Sequence, residues 1–313
     1  MQGQMLSFLK SKSINEINDL ISNVVPLVFA NGSSKGGPLL SFANGVWVEK
    51  TIHVKPGFKK ILDTTYKAAL NQVDFITRAE EVRCEVKSWA ENETKGLIKE
   101  IIPAGSVNSG IRLILANALY FKGSWEQKFD ESMTRMDNFY LPNGRSVKAT
   151  FMSSWNSQFV SAFEGFKVLK LPYEQGRDYE RHFSMYVFLP NARNGLQALV
   201  ERVCSESGFI DGHLPKHKAG GKFLIPKFKI SADFDAGEVL NHLGLRLNGL
   251  TEIVEGEDPA VTNILHKAYM DVNEEGTEAA AITGPFLYLI REEVTGTVMF
   301  IGHVLNPIAE EAI

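Results

Sequence analysis

The order of helix-like and strand-like segments predicts an α+β fold. Helical spacing dominates the first third of the chain and strand-like runs dominate its second half, without regular βαβ alternation. With 313 residues, 44% of them apolar, the chain can bury a large core. Because no Pro/Gly/Ser-rich linker, low-complexity tract or internal repeat divides it, we predict a single domain over residues 1–313.

The first third of the chain carries the helical patterns. Ile14, Ile17, Leu20 and Ile21 recur at the spacing of one helical face. Val82, Val86 and Trp89 repeat at i, i+4 and i+7, as in an amphipathic helix. The patterns predict, in order, a helix over 13–30, a strand over 39–48, a helix over 58–69 and a helix from Val82 through Ile101.

Strand-like runs dominate the chain from residue 111 onwards. Residues 111–121 are apolar almost without interruption, which is typical of a strand buried on both faces. The last two strands are joined by a hairpin turn at 291–296. The remaining predictions are strands over 165–171, 183–189, 223–230, 286–290 and 297–305, and helices over 196–203 and 236–243.

Charge and composition restrict the partners. A net charge of −4 argues against nucleic acid, and no run approaches the roughly 18 apolar residues of a membrane span. Met1 to Lys10 lacks the basic start and apolar stretch of a signal peptide. Cys84 and Cys204 cannot form a disulfide framework. We expect a monomer in the cytoplasm, with the extracellular space left open as an alternative.

No motif indicates an enzyme. Gly32-Ser33-Ser34-Lys35-Gly36 has the letters of a nucleophile elbow, but it follows a helix and precedes Gly37-Pro38 instead of a helix. His213 and His217 are spaced for a metal on a helix, but Pro215 lies between them. His266, in an apolar strand, is interpreted as a hydrogen-bonded structural histidine. We therefore expect no catalytic residue, no metal and no cofactor.

The segment NEEGTEAAA at residues 273–281 is the most informative in the chain. It resembles the reactive-loop hinge of the serpins, a family of serine protease inhibitors, and the wording is most similar to plant serpins. Further blocks resemble the family in the family's own order, and the resemblance covers nearly the whole chain: residues 115–125, 171–173, 183–190, 225–228, 263–268, 272–278, 285–287 and 300–302.

The resemblance implies a serpin fold, with a large mixed central sheet, two further sheets and surrounding helices. It implies that Asn117, Phe121 and Trp125 belong to the main sheet and its end. In the family, an exposed loop offers a bond to a serine or cysteine protease, and after cleavage it inserts into the main sheet as a new strand. The hinge residues carried over from the family are Glu274, Glu275, Gly276, Thr277, Glu278, Ala279, Ala280 and Ala281.

The chain departs from the family pattern at the loop. Only Ile282, Thr283 and Gly284 separate Ala281 from Pro285, where strand-like sequence resumes. The four steps from Ala281 to Pro285 span at most about 14 Å, whereas a full inserted strand needs on the order of 15 residues. No position corresponds to a scissile bond, and Ile282 stands where the family prefers a small residue.

Two other places are shorter than in the family. Against the family pattern, we expect either that the early helices and the strand before the stretch similar to Met1–Lys10 are lost or that the sequence is a fragment, and we expect the approach to Leu250 near 245–249 to be reduced. The shortened loop predicts a serpin that is non-inhibitory or impaired. The alternatives are a working suicide inhibitor whose true transcript restores the loop, and a non-inhibitory binding or scaffold protein.

Overall fold

The structure is a computed structural model that describes residues 2–245, 253–255, 263–273 and 282–309. Its contacts divide the chain into two compact units, each made of several segments. The first unit contains Met1–Ala30, Leu40–Phe121 and Ser231–Tyr269, and the second contains Asn31–Leu39, Lys122–Ile230 and Met270–Ile313. The single domain inferred from the sequence stays a prediction.

Helices α2, α4 and α7 of the first unit begin at side-chain caps. Ser13 accepts a hydrogen bond from the Glu16 amide at the start of α2, and Asp74 caps α4 through the Thr77 amide. The third helix continues into a π-helical turn, Leu62–Tyr66. The helices are α1 (Gln2–Phe8), α2 (Ile14–Val28), α3 (Pro56–Ile61), α4 (Phe75–Glu93) and α7 (Ala236–His242).

A five-stranded sheet forms the centre of the first unit. Its strands are β1 (Leu39–Glu49), β2 (Ala68–Val73), β3 (Leu113–Lys122), β11 (Phe228–Asp235) and β12 (Asn263–Val272), in the order β11-β12-β3-β1-β2. Strands β1 and β2 pair in parallel. One face packs against α4, where Trp47 meets Trp89 edge-on at 5.1 Å and donates a 3.0 Å hydrogen bond to Glu85.

The second unit contains a six-stranded sheet in the order β14-β13-β8-β7-β6-β9. Helices α5 (Leu196–Ser205) and α6 (Phe209–Gly212) pack on it through buried side chains such as Phe166, Phe188 and Phe209. Its strands are β6 (Gln158–Phe163), β7 (Phe166–Pro172), β8 (Phe183–Pro190), β9 (Lys218–Ala219), β13 (Phe286–Glu292) and β14 (Val298–Val304).

A smaller sheet completes the second unit. Strands β4 (Arg135–Tyr140), β5 (Ser146–Ser154) and β10 (Phe223–Pro226) pair antiparallel in the order β10-β5-β4. The described residues therefore form three sheets with surrounding helices, as the sequence predicted.

Two helix ends predicted from the sequence were wrong. Helix α4 ends at Glu93 instead of reaching Ile101, because the chain turns through positive φ angles at Lys95 and Gly96. Ile98 and Ile101 are nevertheless buried. Their apolar side chains therefore indicated a position in the core and not a continuation of the helix. The helix predicted over 58–69 stops at Tyr66, and Ala68 opens strand β2.

The strand predicted over 223–230 is two strands in two different sheets. Strand β10 ends at Pro226, which has no amide hydrogen to continue a ladder. The Lys227 amide donates to the Thr150 carbonyl, and β11 begins at the next residue.

Candidate functional site

The predicted hinge, residues 274–281, lies outside the described residues. Its two flanks are described, Asn273 directly after β12 and Ile282 where the description resumes. The candidate site therefore consists of the two attachment points of this segment, and the main-sheet residues named from the sequence are described separately.

The first attachment point is held by Trp125. Its indole Nε1 donates a 3.2 Å hydrogen bond to the carbonyl oxygen of Asn273. The indole is buried and stacks on Tyr173, with ring centroids 4.1 Å apart and planes 15° from parallel. Gly123 leaves room for this stack, because a Cβ atom there would lie 2.6 Å from Cδ1 of Tyr173. The backbone just before the hinge is therefore tied to a packed aromatic pair.

The second attachment point is Ile282, whose side chain is fully buried. Its amide donates a 2.8 Å hydrogen bond to the Leu224 carbonyl of β10. The next residue, Thr283, accepts a 2.8 Å hydrogen bond from the Tyr140 amide at the end of β4. The chain after the hinge is therefore fixed to the three-stranded sheet.

A polar network crosses the middle of the five-stranded sheet at Asn117 of β3. The Asn117 amide nitrogen donates to Oδ1 of Asn44 at 2.9 Å and to the Ala43 carbonyl at 3.3 Å, both in β1. Its Oδ1 lies 2.9 Å from Nδ1 of His266 in β12. One side chain thus connects three neighbouring strands.

This network assigns the tautomer of His266. Because the amide nitrogen of Asn117 is used towards β1, its Oδ1 must accept the hydrogen from His266 Nδ1. Burial lowers the pKa of His266, so the imidazole is held neutral with Nε2 as an acceptor. The expectation of a hydrogen-bonded structural histidine is confirmed.

The three main-sheet residues named from the sequence fall into different units. Asn117 and Phe121 lie in β3 of the first unit, and Phe121 is buried. Trp125 lies in the second unit beside Tyr173. Within the first unit, Tyr120 of β3 also stacks on Tyr269 of β12 at 5.9 Å, so the two strands are joined by aromatic as well as polar contacts.

Sequence reasoning did not find the partners of these residues. Tyr173 was seen as part of a family block, but nothing in the sequence pairs it with Trp125. Leu224 and Tyr140 act through backbone atoms, which carry no sequence signal. Asn44 lies between apolar residues in the middle of β1, and this signal could have indicated a polar contact across the sheet.

A family model described as serpin, serine protease inhibitor, matches residues 1–307. The chain belongs to the serpin family. It is 49% identical to Serpin-ZX of Arabidopsis thaliana over 97% of this chain and 86% of that protein. It is 44% identical to Serpin-Z4 of Hordeum vulgare over 94% of this chain and 80% of that protein. The similarity to plant serpins inferred from the sequence is therefore confirmed.

Solved structures agree with the fold. The native stressed conformation of Arabidopsis AtSerpin1 matches with a TM-score of 0.93 and 48% identity, over 98% of this chain and 86% of that chain. Uncleaved ovalbumin matches with a TM-score of 0.81 at 23% identity, which shows the shared fold alone. The serpin fold class predicted from the sequence is confirmed.

The described residues contain neither a candidate metal site nor a helix that could span a membrane. No group of three or more His, Cys, Asp or Glu side chains there could hold a metal ion. None of the helices in that part of the chain is long and apolar enough to cross a membrane. The absence of a metal and a cofactor stays a prediction.

Replacing Gly123 tests the aromatic pair at the first attachment point. In Gly123→Ala, the new methyl group must displace the Tyr173 ring, and overpacking of this kind costs about 1–3 kcal/mol of unfolding free energy. We expect a lower melting temperature in calorimetry. Gly212→Ala is the control, because no atom lies within 4 Å of its new Cβ. Equal melting temperatures for the two variants would contradict the packing described for Trp125 and Tyr173.

The neutral His266 gives the folding free energy a defined pH dependence. Its pKa in the folded state lies below the unfolded value of 6.5, so the unfolded chain binds the proton more readily. Its contribution to stability is complete above about pH 6.5 and declines as the pH falls towards the folded-state pKa. Urea unfolding between pH 7.5 and 5 should show a smaller loss for His266→Gln than for the unmodified chain. Identical pH profiles would show that burial does not perturb this histidine.

Proposed function

We propose that this serpin is non-inhibitory, or strongly impaired, towards serine and cysteine proteases. The observation that carries the proposal is the short chain between two fixed points, Asn273 and Ile282. A protease that cuts the hinge segment is then released as from an ordinary substrate.

The number of residues limits what the hinge segment can do. A strand inserted along the full length of β12 or β3 must match the ten residues of each. Only residues 274–281 lie between the attachment points. The nine steps from Asn273 to Ile282 span about 30 Å at full extension. Even a cut at the last bond of the segment therefore leaves too few residues for a complete strand.

Because Ile282 is buried, the residues that follow the hinge are not free to lengthen an inserted strand. Releasing Ile282 would expose a fully buried side chain and break its hydrogen bond to Leu224. Full burial of an isoleucine stabilises by about 1.5–3 kcal/mol. The segment after the hinge thus resists the extraction that a longer loop would need.

The relatives support a shortened interior. The stretch aligned with Arabidopsis Serpin-ZX counts 336 positions, whereas 97% of the 313 residues of this chain is about 304. About 30 residues of that relative therefore face gaps inside the aligned stretch. The shortened loop after Ala281 and the reduced segment near 245–249 are where the sequence predicts these losses.

The retained hinge favours a second candidate. NEEGTEAAA at residues 273–281 keeps the small side chains that a loop needs in order to enter a sheet. A chain with a longer loop after Ala281 would then be a suicide inhibitor.

We further propose a monomer in a reducing compartment such as the cytoplasm, which agrees with two exposed, unpaired cysteines, Cys84 and Cys204.

Incubation with proteases tests the proposal. Trypsin-like, chymotrypsin-like and papain-like enzymes are each mixed with the protein and analysed on denaturing gels. We expect cleavage without any band at the summed mass of protease and serpin, because a full strand cannot insert. A covalent complex that survives denaturation, with any of the three, would overturn the proposal.

A loop-extended variant is the matched control. Insertion of about 15 residues, the length of a full strand with its turn, between Ala281 and Ile282 supplies what the segment lacks. If loop length is the limiting defect, this variant forms the covalent complex that the unmodified chain does not. Failure of both proteins would place the defect elsewhere in the fold.

A further inference from the structure

A positively charged segment lies at the edge of the six-stranded sheet in the second unit. Residues 215–224 contain three lysines and one histidine and no Asp or Glu, although the chain as a whole has a net charge of −4. Every residue from Lys216 to Lys222 is exposed, and the segment includes β9. Positive charge is therefore concentrated along one exposed edge, which favours an acidic partner.

Two of these lysines lie over aromatic rings. Nζ of Lys218 lies 4.9 Å from the ring centroid of Phe159 in β6, and Nζ of Lys222 lies 5.7 Å from that of Trp155. Trp155 is 65% exposed. A ring attracts an ammonium group through its face but does not use all three of its hydrogen-bond donors. Both ammonium groups are therefore held in place with donors left for a carboxylate.

Acidic side chains of the protein do not neutralise the three lysines of the segment, which form no ion pair within the part of the chain that the structure describes. Glu126 lines the same small pocket as Lys218 but does not pair with it. By contrast, Lys170 of β7, further into the sheet, forms an ion pair with Glu293 at 3.2 Å. The charge inside the sheet is thus satisfied, whereas the charge at its edge is available to a partner.

The backbone of β9 has an open side. β9 is the last strand of its sheet and pairs antiparallel with β6, with Lys218 opposite Phe159. The His217 carbonyl accepts a 3.3 Å hydrogen bond from the Val160 amide. In a trans peptide the C=O and the N–H point in opposite directions, so the N–H of Lys218 points away from β6. An extended peptide can therefore pair with this edge through its main chain.

We propose that the edge at β9 binds an extended acidic peptide of a partner protein. The peptide adds to the sheet as a further strand, with its main chain paired to Lys218 and its carboxylates bound by Lys216, Lys218 and Lys222. Glutamate at every second position suits this edge, because alternate side chains of a strand point to the same face. The proposal goes beyond the inhibitor function, since it uses no residue of the hinge or of its attachment points.

Fluorescence anisotropy on the purified full chain measures the binding, with the labelled peptide EVETEVETE as the probe. The control for charge has lysine in place of every glutamate. Two further peptides carry N-methyl groups on the glutamate amides or on the valine and threonine amides, so that one edge or the other of the strand can no longer pair. We expect no binding of the lysine peptide, and a loss of at least about fivefold for one methylated peptide.

Two substitutions at one position separate charge from main-chain pairing. Lys218→Gln removes the charge and keeps the outward N–H, whereas Lys218→Pro removes both, and proline is tolerated where the N–H lies outside the ladder. We expect the affinity for EVETEVETE to fall about two- to fivefold in Lys218→Gln and at least about tenfold in Lys218→Pro. Lys167→Gln, at an exposed lysine of β7, is the control and should leave the affinity unchanged.

Equal affinities for Lys218→Gln and Lys218→Pro, together with equal affinities for the two methylated peptides and the unmodified probe, would overturn the proposal. The methylated peptides test the same contact on the unmodified chain, so the result does not depend on how well the proline variant folds. No binding of EVETEVETE would also overturn it, and would show that the lysines only keep the sheet edge from pairing.

Other occupants of this edge give different results. Labelled decathymidylate that binds more tightly than EVETEVETE would show that the lysines serve a nucleic acid, and would overturn the proposal. Sedimentation tests for a second copy of the chain. A concentration-dependent dimer that Lys218→Pro dissociates and Lys167→Gln retains would show that two copies pair at β9, and would overturn the proposal as well.

Discussion

The fixed span between Asn273 and Ile282 is the constraint on which the proposed loss of inhibition depends. Trp125 holds the first point through a hydrogen bond, and the second is held by β10 and by complete burial of the isoleucine. Suicide inhibition requires a loop that is long before cleavage and free to insert afterwards. We propose that residues 274–281, between two attached flanks, meet neither requirement, although their sequence retains the small side chains of a hinge.

The sheet that would receive the loop is stabilised without it. Strands β3 and β12 are neighbours, joined through Asn117 and His266 and through the stacked rings of Tyr120 and Tyr269. Opening these strands breaks a buried hydrogen bond, which costs about 1–3 kcal/mol when its partners stay unsatisfied. In an inhibitor the inserted strand would compensate for this loss, whereas we propose that the segment at 274–281 is too short to do so.

Sequence reasoning predicted the fold class because several blocks keep the order of one family and because the buried strands are strongly apolar. The run at 111–121 appears as β3 within two residues. It failed where apolar residues are buried without regular structure, as at Ile98 and Ile101, and where one apolar run serves two sheets, as around Pro226. The attachment points could not be predicted, because Asn273, Leu224 and Tyr140 form these hydrogen bonds through backbone atoms, regardless of which side chains they carry.

The melting temperature before and after a single cut in residues 274–281 measures directly whether the cut segment can insert into the sheet as a complete strand. Insertion of a complete ten-residue strand adds hydrogen bonds worth about 1 kcal/mol each and would raise the melting temperature by on the order of 20 °C. We expect a melting temperature that is unchanged or slightly lower, because the cut segment is proposed to be too short to form a complete strand in the sheet. A rise of the size expected for full insertion would contradict it.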